Sequence, residues 1–167
     1  MKRFIILLAA ALTLLTACTV KYSLSGASIP PDAKTFSVAY FPNNAPMVAP
    51  VLSATLTDEL SQRFASRTSL VQVEEGGDFA FEGEIVGYSS TTSSVSSGDY
   101  ALQNRLTISI KVKFTNAIDD KMSFNRNFSA YADYDSTKLL TEVEGDLIPQ
   151  IVEQLVTDIF QAAASNW

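Results

Sequence analysis

The sequence predicts an α+β fold in which two amphipathic helices lie on one face of a mainly antiparallel sheet. Three observations carry that expectation. Apolar residues recur at helical spacing in two stretches, Val48 to Phe64 and Val143 to Phe160. Between them, apolar and polar residues alternate through Phe79–Ile85, Leu102–Phe114 and Phe124–Tyr134, the period of half-buried strands. The order strand, helix, meander, helix leaves the apolar face of the sheet as the surface both helices can cover, a two-layer packing.

Each element has its own signals. Phe36, Val38 and Tyr40 alternate with Ser37 and Ala39, a strand closed by Pro42-Asn43-Asn44. Beyond Pro46 and Pro50, the residues Val48, Leu52, Leu56, Leu60 and Phe64 form a helical stripe, with Asp58, Glu59, Gln62 and Arg63 on the wet side. Leu70, Val71 and Val73 make a short apolar piece before the Glu74-Glu75-Gly76-Gly77 turn. In the next strand Phe79, Phe81, Gly83 and Ile85 share a face and Glu82 and Glu84 take the other. Ser89 to Gly98 is uncharged, rich in Ser and Thr, and reads as a hairpin tip. The return strand points Leu102, Leu106, Ile108, Ile110, Val112 and Phe114 inward, and Asn116 to Lys121 make an acidic turn. Phe124, Phe128, Ala130, Ala132 and Tyr134 continue the meander. The last element is a helix with Val143, Leu147, Ile148, Ile151, Val152, Leu155, Ile159 and Phe160 on one face. Thr141 and Glu144 have capping-box spacing at its start. Pro149 has two readings: the first turn of a helix beginning near Asp146, or a kink within a longer one.

The N-terminus sets the address. Lys2 and Arg3 precede an apolar run from Phe4 to Leu15, a secretory pattern shorter than the roughly 20 residues a membrane span needs. Leu15-Thr16-Ala17-Cys18 closes it and resembles a lipobox, which implies cleavage before Cys18 and acylation of that residue. Three acyl chains anchor stably, since two already suffice. The domains expected are therefore 1–17, a signal peptide; 18–34, an acylated N-terminus and Gly/Pro-bearing tether; and 35–167, a single folded unit. Thr19 follows Cys18 in place of aspartate, which by analogy with lipoprotein sorting favours the outer membrane, facing the periplasm.

Composition excludes several function classes. Cys18 is the one cysteine and there is no histidine, which removes Cys-His and Ser-His-Asp chemistry and the usual zinc ligands. No HExxH, P-loop or GxGxxG pattern occurs, so no cofactor or metal is expected and the chain reads as a non-enzyme. A carboxylate pair for glycoside chemistry exists on paper in Glu82/Glu84 or Asp119/Asp120. An exposed strand face and a turn offer neither pair the desolvation that raises a carboxyl pKa. Loss of residues 1–17, with Lys2 and Arg3, leaves 10 basic residues against 18 acidic ones, a net charge of −8. Nucleic acid is therefore not an expected partner.

The order of signals resembles the LptE family of lipopolysaccharide-assembly lipoproteins, in its short, compact form. The resemblance rests on Cys18, Tyr22 to Ile29, Lys34 to Asn43, Val48 to Leu56, Phe81-Glu-Gly83, Asn104 to Ile108 and Asp158 to Trp167. It implies a sandwich of two helices on a four-stranded sheet. It also implies a lipoprotein that plugs the outer-membrane β-barrel LptD, helps it assemble, and touches lipopolysaccharide in transit. Against that background five basic residues stand out: Arg105, Lys111, Lys113, Lys121 and Arg126. Arg105, Lys111 and Lys113 share the parity opposite the apolar face and form an exposed ridge suited to lipid or core phosphates. Glu82 and Glu84 on the neighbouring strand can also pair with them, as ordinary cross-strand partners. The alternative function is a periplasmic lipoprotein that regulates a cell-wall synthase or another envelope machine.

Overall fold

The computed structural model describes residues 29–47, 49–93 and 102–164. The chain runs β1 (Thr35–Val38), α1 (Leu52–Arg67), β2 (Val71–Gln72), β3 (Phe79–Ser93) and β4 (Gln103–Asn116). A 3-10 turn (Asp120–Met122), β5 (Phe124–Asp135) and α2 (Leu140–Ala164) complete it. Cys18 and residues 94–98 of the Ser/Thr-rich stretch lie outside the described residues. Ser89–Ser93 are not tip but the last residues of β3.

The α+β reading holds, but the sheet has five strands in the order β2-β1-β3-β4-β5 and is mixed, not four-stranded and antiparallel. β1 runs parallel to both β2 and β3, while β3, β4 and β5 form the antiparallel meander. The cause is the short apolar piece after α1. A helix that leaves β1 and lies on the sheet returns the chain at the end where β1 began, so a strand formed there runs parallel. Val71 N–H donates to the Lys34 carbonyl and Val73 N–H to that of Phe36, both at 2.8 Å. Asp78 then pins the start of β3 to the start of β1, accepting the Lys34 N–H at 2.8 Å, the Thr35 N–H at 2.9 Å and the Thr35 hydroxyl at 3.0 Å. Those hydrogen bonds hold the Asp78 carboxyl below its ordinary pKa.

α1 buries the stripe its spacing announced: Leu52, Leu56, Leu60 and Phe64 are fully enclosed. It starts at Leu52, four residues after Val48. Phe64 sits where both helices meet the sheet, its ring 4.6 Å from Phe81, 5.0 Å from Phe160 and 5.8 Å from Phe36. Such aromatic pairs add to plain area burial. On β4, Leu106, Ile108, Ile110, Val112 and Phe114 all point into this core. Leu102 does not: it precedes the strand and is exposed, while its carbonyl accepts the Ser136 N–H at 3.1 Å. Tyr40 is exposed as well, since the chain changes phase after β1 and buries Phe41 instead. Gly83 makes room for that ring; a Cβ there would lie 2.5 Å from Phe41 Cε1.

α2 settles the question of Pro149, which lies inside a helix running from Leu140. Its missing N–H would have bonded the carbonyl of Gly145, the residue its ring must also clear. The Thr141/Glu144 capping box does not form. The helix starts two residues earlier, where Leu140 and Val143 pack on the core, and Glu142 reaches back to the Leu139 N–H at 3.1 Å. Arg63 ties the two helices together by donating to the Thr157 hydroxyl at 3.1 Å. None of the described helices is long and apolar enough to cross a membrane.

Candidate functional site: the open face of the sheet

Strand alternation sends one set of side chains under the helices and the other onto the opposite face, and register sorts that second set into rows. Glu82, Lys113 and Asn125 lie abreast, then Glu84, Lys111 and Asn127. After them come Gly87, Ser109 and Ser129, then Ser89, Thr107 and Tyr131, then Thr91, Arg105 and Asp133. The face is charged at both ends and hydroxyl-lined between. In its middle Ser109 Oγ and Ser129 Oγ share a hydrogen bond of 3.0 Å.

The row change comes from a bulge. Val86 is an extra residue between Ile85 and Gly87, so the register of β3 against β4 shifts by one there. Below the bulge the strand carries carboxylates; above it, hydroxyls.

At the lower end, Lys113 Nζ donates to Glu82 Oε2 at 2.9 Å, with both side chains more than half exposed. Pairs that open to water contribute little. Glu84 faces Lys111 in register, yet its Oε2 accepts from Asn44 Nδ2 at 2.7 Å. Among the described residues no carboxylate lies within ion-pair distance of Lys111. These groups, with Pro42, Gly83 and Asn125, line an open cleft of about 300 Å³. Lys111 is the cation there without a counter-charge.

At the upper end Arg105 grips Asp133 with both forks, Nε to Oδ1 at 2.7 Å and Nη2 to Oδ2 at 2.9 Å. Its guanidinium lies 3.7 Å over the Tyr131 ring. The Arg105 hydrogen bonds hold the Asp133 carboxyl below its ordinary pKa, and Asp133 in turn raises that of Arg105.

The five basic residues therefore do not form one ridge. Lys111 and Lys113 meet at the cleft, and Arg105 is on the same face at the far end. Lys121 is exposed in the 3-10 turn beyond β4. Arg126 is opposite Val112 and so projects from the helix-bearing face, with its guanidinium 4.4 Å from the Phe124 ring and 5.2 Å from that of Phe128. The candidate carboxylate pairs have structural duties: Glu82 and Glu84 as above, and Asp119 as the cap that accepts the Lys121 N–H at 3.1 Å. Among the described residues no cluster of metal-ligating side chains occurs.

Two contacts fall outside the residues singled out from the sequence. Asp133 has the parity that puts it beside Arg105, a signal the strand pattern does carry. The bond from the Tyr88 hydroxyl to Glu144 Oε2, 2.8 Å long, has no such signal because it joins β3 to α2. Burial first, then the Glu144 hydrogen bond and charge, push the Tyr88 hydroxyl pKa up.

Comparison with known proteins places this architecture. A family model described as LptE, lipopolysaccharide-assembly, matches residues 33–163. A minor lipoprotein of Acinetobacter baumannii shares the fold at 12% identity and a TM-score of 0.51, covering 77% of this chain and 91% of that one. A hypothetical protein of Chlamydia trachomatis does so at 11% identity and TM-score 0.54, covering 80% and 99%. A protein of Xanthomonas campestris gives 15% identity and TM-score 0.53, covering 80% and 88%. At such identities the likeness is one of fold. None of the curated proteins matches this sequence. With the family model spanning the domain from the turn before β1 to the end of α2, the chain belongs to the LptE family of lipopolysaccharide-assembly proteins.

Proposed function

We propose that this protein is an outer-membrane lipoprotein, held by acylated Cys18, that plugs the lumen of an LptD-type β-barrel and assists its assembly. The observation that carries the reading is the family match over residues 33–163. The open face of the sheet supports it. A lumen lined by polar side chains suits a rigid face whose central rows are hydroxyls, since these donate and accept without needing a counter-charge. The family is one of non-enzymatic lipoproteins, and the mechanism is steric and polar complementarity. Lipopolysaccharide contact falls to the basic set, Lys111 and Lys113 first, with Arg105, Lys121 and Arg126 as outlying members. Phosphate oxygens would find at Lys111 a donor that no carboxylate occupies.

A mild-detergent pull-down of the tagged mature protein from its native outer membrane, read by mass spectrometry, tests the plug. The expected eluate holds one large β-barrel in roughly one-to-one ratio, the stoichiometry of a filled lumen. A cell-wall synthase in its place would overturn the reading and promote the regulator.

A further inference from the structure

α2 is built in two unequal parts. Its ten buried residues begin only at Leu147 and continue to Ala164. The stretch before them, Leu140–Asp146, contains none: Leu140, Val143 and Glu144 are half-buried, and Thr141, Glu142, Gly145 and Asp146 are exposed.

The helix is weakest where these parts join. Pro149 supplies no N–H to the Gly145 carbonyl, so one bond of the helical ladder is missing there. Glycine is itself a worse helix residue than any but proline. Packing does not call for a glycine at that position, since a Cβ on Gly145 would meet nothing within 4 Å. Two helix-weakening residues therefore fall on one turn, and the first has no steric reason to be there.

Among the described residues, one side-chain hydrogen bond ties Leu140–Asp146 to the sheet, from the Tyr88 hydroxyl to Glu144 Oε2 at 2.8 Å. Tyr88 is buried, and two residues along β3 the Ser90 hydroxyl shares a 2.6 Å hydrogen bond with that of Tyr134, also buried. Leu139, just before the helix, and Leu102, whose carbonyl accepts the Ser136 N–H, are exposed at the same end. The tether enters at the other end. It leads into β1, whose Phe36 lies beside Phe79, and Tyr88 is nine residues further along β3, about 30 Å away.

We propose that Leu140–Asp146 is a hinged lid. It unlatches at the Tyr88–Glu144 bond and unwinds at the Gly145–Pro149 turn, uncovering Tyr88 while the rest of α2 stays seated. A segment of two turns does not hold a helix alone in water, so release from the sheet and unwinding are one event. The amides of Glu144 to Ile148, which bond the carbonyls of Leu140 to Glu144, open together. Opened, the lid joins a buried phenol to the exposed Leu102 and Leu139, so its position sets how much apolar surface the end away from the tether presents. The proposal is independent of the barrel reading.

Amide hydrogen exchange of the full-length protein in mild detergent, read residue by residue by NMR, tests it. The amides of Glu144 to Ile148 should share one protection factor, at least about 100-fold below that of Val152 to Phe160. Tyr88→Phe, which removes only the latching hydroxyl, should lower the lid's protection about ten-fold. Gly145→Ala, whose methyl enters open space, should raise it about five-fold. Ile159→Val should lower protection of Val152 to Phe160 about five-fold and leave the lid's unchanged, because lid opening does not disturb Ile159. A single protection factor along all of α2 would overturn the proposal. So would a graded fall toward Leu140, the pattern of a fraying end, or an equal loss in both parts with Ile159→Val. If Tyr88→Phe fails to fold, the wild-type step and the other two variants still decide.

Discussion

Arg105 is held by two hydrogen bonds and a ring face, and that geometry makes its partner acid-sensitive. The Asp133 carboxyl is depressed in the folded protein, so its stabilising contribution is fully present above the unfolded value of about 3.9. It is lost as pH falls through the lower folded value. Asp133→Asn should therefore flatten the acid limb of a Tm-against-pH curve below about pH 4, with a small fall in Tm at neutral pH. Lys111 and Lys113 call for a binding measurement instead. Reversal of both to Glu should weaken lipopolysaccharide binding about ten-fold or more, with a modest fall in melting temperature because the new carboxylates would face Glu82 and Glu84 across the strand pair. Unchanged affinity would remove the cleft from the lipopolysaccharide path. Strand parity alone is enough to place Arg105, Lys111 and Lys113 on one face. It cannot reveal that Asn44 takes Glu84 away from Lys111, because that contact depends on a loop crossing the sheet edge. Arg126 leaves the group for a simpler reason: it is near the others in sequence, but its place opposite Val112 turns it to the other face.

At the scale of elements, α1 is joined to its neighbours through one side chain in particular. Phe64 touches rings from β1, β3 and α2 and is fully enclosed. Phe64→Ala should cost about 3–5 kcal/mol in urea unfolding, from lost burial plus the cavity left behind. A loss under about 1 kcal/mol would mean that neighbouring rings collapse into the space. The helices and the meander are legible in the sequence because long periodic segments repeat their signal many times. β2 is not, since a two-residue strand has no period and owes its direction to where α1 delivers it. The start of α2 differs from its sequence signal because Thr141 and Glu144 spell a cap, whereas packing of Leu140 and Val143 draws the helix back two residues.

At the scale of the whole molecule, two layers with different chemical character emerge from one alternation. α2 carries Glu142, Glu144, Asp146, Glu153 and Asp158 and no basic residue, while the sheet face opposite balances its charges or does without them. The antiparallel meander of β3, β4 and β5 can be anticipated in outline, but not the parallel pairing of β1 with β2 and β3. The position of α2 in the chain also bears on how the protein reaches its folded state. That helix supplies ten buried side chains, and among the described elements it is the last to be made. Until it arrives, the apolar face formed by β3, β4 and β5 has half a roof, and contacts such as Arg63 to Thr157 must wait for residues 94 positions downstream. A chain emerging N-terminus first thus keeps an apolar sheet face half-covered until α2 is made, and that face favours transient association while it is bare.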